Sequence, residues 1–144
     1  MLTSAGRAGI VVDVVERGRS RVLLVDDDPG VRLVVDRQLE ALGWEAVPVE
    51  TGQAAIRVVE GGMIVDVLLT DLDLPDIDGI AVARAVAGLS PATRVAFMSG
   101  ATPRKPLEPH DAPFLLKPFP TRALANALAG AIPVNAGERQ PRGA

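Results

Sequence analysis

The sequence predicts an α/β fold built on a doubly wound parallel sheet of five strands. Two observations support this fold class. Short apolar runs rich in Val, Leu and Ile alternate along the chain with segments whose apolar residues recur at helical spacing. Strands and helices that alternate in this way are typical of a parallel sheet with helices on both faces. In addition, the first run, RVLLV at residues 21–25, is continuously apolar, as expected of a strand covered on both faces.

The predicted elements follow one another in alternation from residue 21. The first strand ends at the acidic stretch 26–28, and the helix after it ends at Gly43. Pro48 in the second strand indicates an edge position, because proline cannot donate to a strand ladder. The later strands lie in DVLLTDLDLPDIDG, RVAFMSG and FLLKPF, and the later helices in TGQAAIRVVEGG, IAVARAVAGL and TRALANALAGAI.

We expect three regions in the chain. Residues 1–20 form an N-terminal leader that is loosely ordered or adds one short element, residues 21–132 form the domain, and residues 133–144 form a flexible tail. The stretch 101–113 should contain the fourth helix, but it carries four prolines, and each costs about 3 kcal/mol in a helix interior. A shortened or irregular fourth helix is therefore predicted.

The composition excludes several classes of protein. Of the 144 residues, 48% are hydrophobic and 23% are charged, which indicates one globular domain. Cysteine is absent, so disulfides, zinc–thiolate sites and thiol catalysis are excluded. The net charge of −3 gives no electrostatic signature for nucleic acid. No apolar run is long enough for a membrane span or a signal peptide, so we expect a soluble, cytoplasmic protein without membrane partners.

Polar side chains are concentrated where the predicted strands end. In open α/β sheets, ligands bind outside the carboxyl ends of the strands, near the point where the strand order reverses. We therefore expect these side chains to form one site. They are Asp26 to Asp28 after the first strand, Asp71 and Asp73 after the third, Ser99 after the fourth and Lys117 after the fifth.

Three kinds of acidic site can be compared with this pattern. An EF-hand calcium loop that starts at Asp71 would need glycine at its sixth position and glutamate at its twelfth, where the chain has Asp76 and Val82. A glycosidase carboxylate pair does not require a lysine and a hydroxyl beside the acids. A magnesium–phosphoryl site gives a role to each of these kinds of side chain. Carboxylates hold Mg²⁺, and one carboxylate attacks phosphorus. The lysine and the serine contact the phosphoryl oxygens.

These motifs together resemble the receiver domain of two-component response regulators. VLLVDDDPGVR resembles the acidic opening of that family, DVLLTDLDLPDIDG its phospho-acceptor strand, VAFMSGA its hydroxyl-bearing fourth strand and FLLKPF its lysine–proline signature. The similarity covers residues 21–132, and four motifs in the family's order at strand ends are highly specific. The resemblance implies a flavodoxin-like fold with strand order 2-1-3-4-5.

The resemblance also implies which residues bind metal and phosphate. Asp71 would be the aspartate that becomes phosphorylated. Asp26 and Asp27 would be the acidic pair that binds Mg²⁺, together with Asp71 and the backbone carbonyl of Asp73. The side chain of Asp73 would face the attacking water.

Further roles follow from the same resemblance. Ser99 and Lys117 would contact the phosphoryl group, and Phe114 would be a switch aromatic whose orientation follows Ser99. Pro118 would follow a cis peptide bond, which costs little before proline.

Other polar residues have simpler explanations. Asp28 precedes Pro29, as a helix cap does. Asp76 and Asp78 are expected to belong to a solvated turn, to which Gly79 gives backbone freedom. His110 lies between prolines in LEPHDAP, which indicates an exposed loop residue.

The implied function is that of a stand-alone phospho-acceptor in a two-component system or phosphorelay, since only twelve residues follow Ile132. A sensor histidine kinase or a histidine phosphotransfer protein would donate the phosphoryl group, and phosphorylation would switch binding to an unknown downstream protein. Such a protein is not an enzyme, apart from its own phosphorylation and dephosphorylation. Two alternatives stay open: a haloacid-dehalogenase-like phosphatase with Asp71 as nucleophile and Asp73 as general acid, or a degenerate receiver that acts as a constitutive binding module.

Overall fold

A computed structural model describes residues 18–137 of the chain. Strands and helices alternate over these residues, as the sequence predicted, except at 100–113, where no helix forms. The elements are β1 Arg21–Val25, α1 Pro29–Ala41, β2 Glu45–Val49, α2 Gly52–Glu60, β3 Val67–Asp71, α3 Gly79–Leu89, β4 Arg94–Ser99, β5 Phe114–Leu116, α4 Thr121–Gly130, β6 Ile132–Pro133 and a 3₁₀ helix at Val134–Gly137.

The sheet has the strand order β2-β1-β3-β4-β5, and these five strands are parallel. This is the order that the family resemblance implied, and β2, which contains Pro48, lies at the edge, as the proline predicted. Alternate residues of β1, an interior strand, face opposite sides of the sheet. Val22 and Leu24 pack in the cluster that includes α1 and α4, whereas Leu23 and Val25 pack in the cluster that includes α2 and α3. The sheet is therefore covered on both faces, and its strand ends are left as the place for a polar site.

The expected cap of the first helix is confirmed. The carboxylate of Asp28 accepts hydrogen bonds from the amides of Gly30 at 2.8 Å and Val31 at 3.2 Å, and Pro29 is the first residue of α1. Asp28 thereby satisfies two of the amide donors that a helix start leaves without partners. Its carboxylate is engaged by the helix and not by the acidic cluster.

No helix forms between β4 and β5, where the prolines predicted a shortened or irregular one. Turns and bends run through 100–113 instead. Leu107 and Ala112 pack on the hydrophobic cluster beneath this segment. Two ion pairs also fasten it to α3: Lys105 lies 3.4 Å from the carboxylate of Asp78, and Glu108 pairs with Arg84.

Regular structure continues past residue 132, which differs from the flexible tail that we predicted from residue 133. Strand β6 pairs antiparallel with β4, where Ile132 lies opposite Val95 and Pro133 opposite Arg94. Ile132 and Val134 also pack on the cluster that includes α3. This apolar burial holds the segment in place although its composition is polar overall. Residues 138–144, and residues 1–17 of the predicted leader, lie outside the described part of the chain.

Within residues 18–137, no helix is long and apolar enough to cross a membrane.

Candidate functional site

The ends of β1, β3 and β5 bring two acids and one base into direct contact. The Nζ of Lys117 lies 2.7 Å from Oδ2 of Asp26 and 2.8 Å from Oδ2 of Asp71. Asp26 is 0% exposed and Asp71 is 4% exposed, so both carboxylates are removed from water. The three residues belong to strands that are not consecutive in the chain, and only the parallel sheet places them side by side.

The charges in this group are set by burial and by their mutual contacts. Burial raises the pKa of Asp71 above its ordinary value, and hydrogen bonds from Lys117 and from the amide of Asp73 offset only part of this effect. Burial acts in the opposite direction on Lys117, but its hydrogen bonds to Asp26 and Asp71 prevail and raise the pKa of its ammonium group. Lys117 is therefore a cation at neutral pH, and it serves two carboxylates at once.

A third acid completes a cluster that can hold a metal ion. One carboxylate oxygen from each of Asp26, Asp27 and Asp71 lies within 4.8 Å of the other two, and Asp27 is exposed. An all-oxygen set with room for water on one side is the environment that Mg²⁺ prefers, because this ion keeps several of its waters. The donor set therefore fits Mg²⁺. The backbone carbonyl of Asp73, which we also predicted as a ligand, stays a prediction.

Ser99 lies at the end of β4, beside the same cluster. It is 2% exposed, and its hydroxyl donates a hydrogen bond to Oδ2 of Asp73 at 3.0 Å. The same hydroxyl oxygen accepts a hydrogen bond from the amide of Ala101 at 3.2 Å. The amide of Asp73 in turn donates to Oδ1 of Asp71 at 3.0 Å, which joins Ser99 to the acidic group through one residue.

Two further residues predicted from the resemblance have defined positions. The peptide bond between Lys117 and Pro118 is cis, as the resemblance implied. Phe114 begins β5, pairs in register with Phe97 of β4 and packs partly buried against the hydrophobic cluster. Its role as a switch aromatic stays a prediction.

The loop between β3 and α3 is more than the solvated turn that we predicted for Asp76 and Asp78. Asp78 caps α3 by accepting from the amide of Ala81 at 2.8 Å. Asp76 caps a different helix, because its two oxygens accept from the amides of Gly52 at 3.0 Å and Gln53 at 2.8 Å at the start of α2. The sequence contains the signal for the first cap, an Asp before a helical pattern, but no local signal for the second.

Gly79 serves this loop in a way that differs from our prediction of backbone freedom. Its φ angle lies outside the left-handed region, so its conformation does not require glycine. A Cβ at this position would, however, overlap the backbone oxygen of Asp71 and lie 3.0 Å from Cα of Leu72. Position 79 must therefore lack a side chain so that α3 can start directly against the end of β3.

The comparison with protein families bears on the choice between a receiver and a phosphatase. A family model for the response regulator receiver domain matches residues 22–129. The chain belongs to this family. The receiver assignment also favours the phospho-acceptor over the phosphatase alternative, because receiver domains are in general non-enzymatic phospho-acceptors.

Individual receivers are similar over most of the chain. The response regulator receiver protein CpdR of Brucella abortus is 32% identical over 112 residues, which are 75% of this chain and 92% of CpdR. A receiver protein from Sinorhizobium medicae has a solved structure with a TM-score of 0.69 and 26% identity, and the match covers 82% of this chain and 96% of that chain. The solved receiver domain of the hybrid histidine kinase CckA has a TM-score of 0.63 and 28% identity, over 76% of this chain and 96% of that one.

Other relatives contain the receiver as one part of a longer protein. The chain spans 25% of the transcriptional regulatory protein TrcR of Mycobacterium tuberculosis, at 41% identity over 66 residues. It spans 12% of the sensor kinase CckA of Brucella abortus, at 31% identity over 116 residues. Receiver domains of this kind thus occur both in short proteins and within regulators and kinases.

The only histidine of the chain takes no part in the receiver site. His110 lies in the loop before β5 with its side chain 77% exposed, and its Nε2 is 3.3 Å from a carboxylate oxygen of Asp111. This agrees with the exposed loop position predicted from the flanking prolines.

Proposed function

We propose that this receiver domain accepts a phosphoryl group on Asp71 from the phosphohistidine of a sensor histidine kinase or a histidine phosphotransfer protein. A carboxylate oxygen of Asp71 attacks phosphorus, the bond between phosphorus and the imidazole nitrogen breaks, and the imidazole leaves with the electron pair. The observation that carries this proposal is the contact of Lys117 with both Asp26 and Asp71 at the strand ends. This contact supports the proposal because the ammonium group of Lys117 lies beside Asp71 and could contact a phosphoryl group on it.

The acids around Asp71 fit Mg²⁺ as the cofactor of this transfer. Asp26, Asp27 and Asp71 would hold the ion with their carboxylates, and Asp73 with its backbone carbonyl. When bound, Mg²⁺ supplies positive charge that offsets the carboxylates and the arriving phosphoryl oxygens. Lys117 adds an ammonium group that contacts both Asp26 and Asp71, and its raised pKa keeps that charge at neutral pH.

The switch in this proposal starts at Ser99. Its hydroxyl would turn toward the phosphoryl oxygens, and Phe114, at the start of the neighbouring strand, would follow it. Phosphorylation shifts the balance between two conformations only by the contacts that differ between them, and the Ser99 hydroxyl is such a contact. The outcome is altered binding of a downstream protein.

Intact mass spectrometry tests the phospho-acceptor directly. The chain is incubated with Mg²⁺ and acetyl phosphate, and we expect a single phosphoryl adduct that is labile to base and absent from Asp71→Asn. Asp76→Asn is the matched control, because it changes an acid of the same loop that contacts α2 and not Lys117. An adduct that persists in Asp71→Asn would place the modification elsewhere. No adduct in the unaltered chain would instead favour the constitutive binding module.

A further inference from the structure

The backbone of Asp26 is held by a side chain from the first helix. Nη1 of Arg32 donates to the carbonyl oxygen of Asp26 at 2.7 Å. Nη2 of the same guanidinium lies 3.8 Å from a carboxylate oxygen of Glu50, the residue that follows β2. Arg32 thereby joins α1 to the ends of β1 and β2, and its side chain is only 22% exposed.

This contact reaches Asp27 through the peptide bond. The carbonyl of Asp26 and the amide of Asp27 belong to one planar unit, so a donor that fixes the carbonyl also fixes the plane from which Asp27 departs. Asp26 itself needs little such help, because its two carboxylate oxygens are held by the amide of Asp28 at 2.9 Å and by Nζ of Lys117 at 2.7 Å.

Asp27 depends on its backbone more than its neighbour does. Among residues 18–137, its carboxylate has no hydrogen-bond or ion-pair partner. It is also the exposed member of the three acids that come within 4.8 Å of one another. The Asp26–Asp27 peptide therefore sets the position from which this side chain leaves the backbone, and no contact at its own end adds to that constraint.

We infer that Arg32 is a positioning residue for the metal site: by holding the Asp26–Asp27 peptide, it directs the carboxylate of Asp27 toward those of Asp26 and Asp71. This inference rests on the proposed binding of Mg²⁺. Arginine suits the task because its planar guanidinium can contact the carbonyl of Asp26 and the carboxylate of Glu50 with different nitrogens.

Loss of the Arg32 side chain has two opposite effects on Mg²⁺ affinity. The guanidinium is a positive charge near the site, so removal of its charge alone strengthens the binding of a cation. Removal of the hydrogen bond to Asp26 frees the peptide and weakens binding. The direction of the measured change therefore separates positioning from a simple charge effect.

The test measures the Mg²⁺ affinity of the full chain by isothermal titration calorimetry in unaltered protein, Arg32→Met, Arg32→Lys and Arg37→Met. Arg37 is the matched control, because it is exposed on the same helix and its replacement removes the same charge. We expect affinity to fall about tenfold in Arg32→Met, at the lower end of the range for residues that orient metal ligands. Arg32→Lys keeps the positive charge and can donate one hydrogen bond, so its Mg²⁺ affinity should lie between those of the unaltered chain and Arg32→Met. Arg37→Met should not bind Mg²⁺ more weakly than the unaltered chain.

Thermal unfolding without Mg²⁺ provides the second measurement. If Arg32→Met folds and binds Mg²⁺ as tightly as the unaltered chain or more tightly, the inference is overturned, whatever its stability. If Arg32→Met does not fold, Arg32→Lys decides: weaker binding than in the unaltered chain, which has the same charge, supports the inference, and equal or tighter binding overturns it. An unaltered chain that neither binds Mg²⁺ nor takes up a phosphoryl group refutes the proposed function itself, which is a distinct result.

Discussion

The hydroxyl of Ser99 donates a hydrogen bond to the carboxylate of Asp73, with 3.0 Å between the two oxygens. A serine hydroxyl carries one proton, so it cannot donate to Asp73 and to a phosphoryl group on Asp71 at the same time. The amide of Ala101 already donates to the oxygen of this hydroxyl. In the proposed phosphorylated state, Ser99 must therefore release Asp73.

Replacement of Asp73 by alanine should accelerate phosphorylation of Asp71 by acetyl phosphate by about tenfold. A hydrogen bond to a charged group is worth about 1.5–3 kcal/mol, and the low end of that range corresponds to this factor. The hydroxyl of Ser99 is then free, and one negative charge beside the arriving phosphoryl group is gone. A time course of intact mass measures the rate. In a Ser99→Ala background the same replacement should give a smaller acceleration, because only the removal of the negative charge still acts. An equal gain in both backgrounds would exclude competition for the hydroxyl.

Replacement of Gly79 by alanine should destabilise the fold and impair phosphorylation together. The new Cβ would overlap the backbone oxygen of Asp71, and overpacking of this kind costs about 1–3 kcal/mol. The urea unfolding midpoint and the yield of phosphoryl adduct are the two measurements.

Gly88 provides the matched control on the same helix. A Cβ there meets nothing within 4 Å, so Gly88→Ala should stabilise the chain by up to about 1 kcal/mol through helix propensity. If both alanine variants behave alike, the close approach of α3 to Asp71 is not what requires glycine at position 79.

Asp76→Ala should reduce the free energy of unfolding by about 1 kcal/mol at pH 7, the usual loss for a helix cap. Although burial acts to raise it, the pKa of Asp76 is lowered by hydrogen bonds from the amides of Gln53 and Gly52. Because the pKa is lower in the folded state, the ionised carboxylate stabilises that state at every pH above the unfolded-state pKa, which is about 3.9. This contribution is lost as the pH falls through the folded-state pKa. The difference between Asp76→Ala and the unaltered chain should therefore shrink toward pH 3 in urea unfolding. A difference that does not change with pH would contradict this account.

Lys117→Met should destabilise the chain in the absence of Mg²⁺ by about 3–5 kcal/mol, because it leaves buried carboxylates without their cation. Asp26 and Asp71 are the acids concerned. Mg²⁺ should restore part of the loss, so the rise in Tm on addition of Mg²⁺ should be larger in the variant than in the unaltered chain. Lys105→Met is the control. Nζ of Lys105 lies 3.4 Å from a carboxylate oxygen of Asp78, and both side chains are exposed, so loss of this ion pair should change the stability little. If the Tm of Lys117→Met in EDTA equals that of the unaltered chain, the ion pairs of Lys117 with Asp26 and Asp71 do not stabilise the fold.

The sequence was sufficient to predict the sheet and to identify the polar residues at the ends of its strands. Apolar runs and helical spacing located the strands and helices, and the strand order followed from the family resemblance. Lys117, Asp26 and Asp71 could be grouped because carboxyl ends of parallel strands meet at one edge. The prolines of 101–113 also gave the correct expectation of an irregular segment.

Features that depend on contacts across the fold could not be predicted in this way. Asp76 caps a helix that begins 24 positions earlier in the chain, and only the folded loop brings the two together. Strand β6 has two residues, too few to show any periodicity. The bond from Arg32 to the carbonyl of Asp26 involves a backbone atom, which leaves no trace in side-chain patterns.

The pairing of Lys117 with Asp26 connects positions that are 91 residues apart, and its pairing with Asp71 spans 46. Contacts of such long range require the closure of long loops, which costs entropy before the contacts can form. A chain that has formed β1 to β4 but not β5 has all of the acids and lacks the ammonium that joins them. We therefore expect the amount of phosphoryl adduct to report the fraction of molecules in which β5 has joined the sheet, because partly folded molecules would not be phosphorylated.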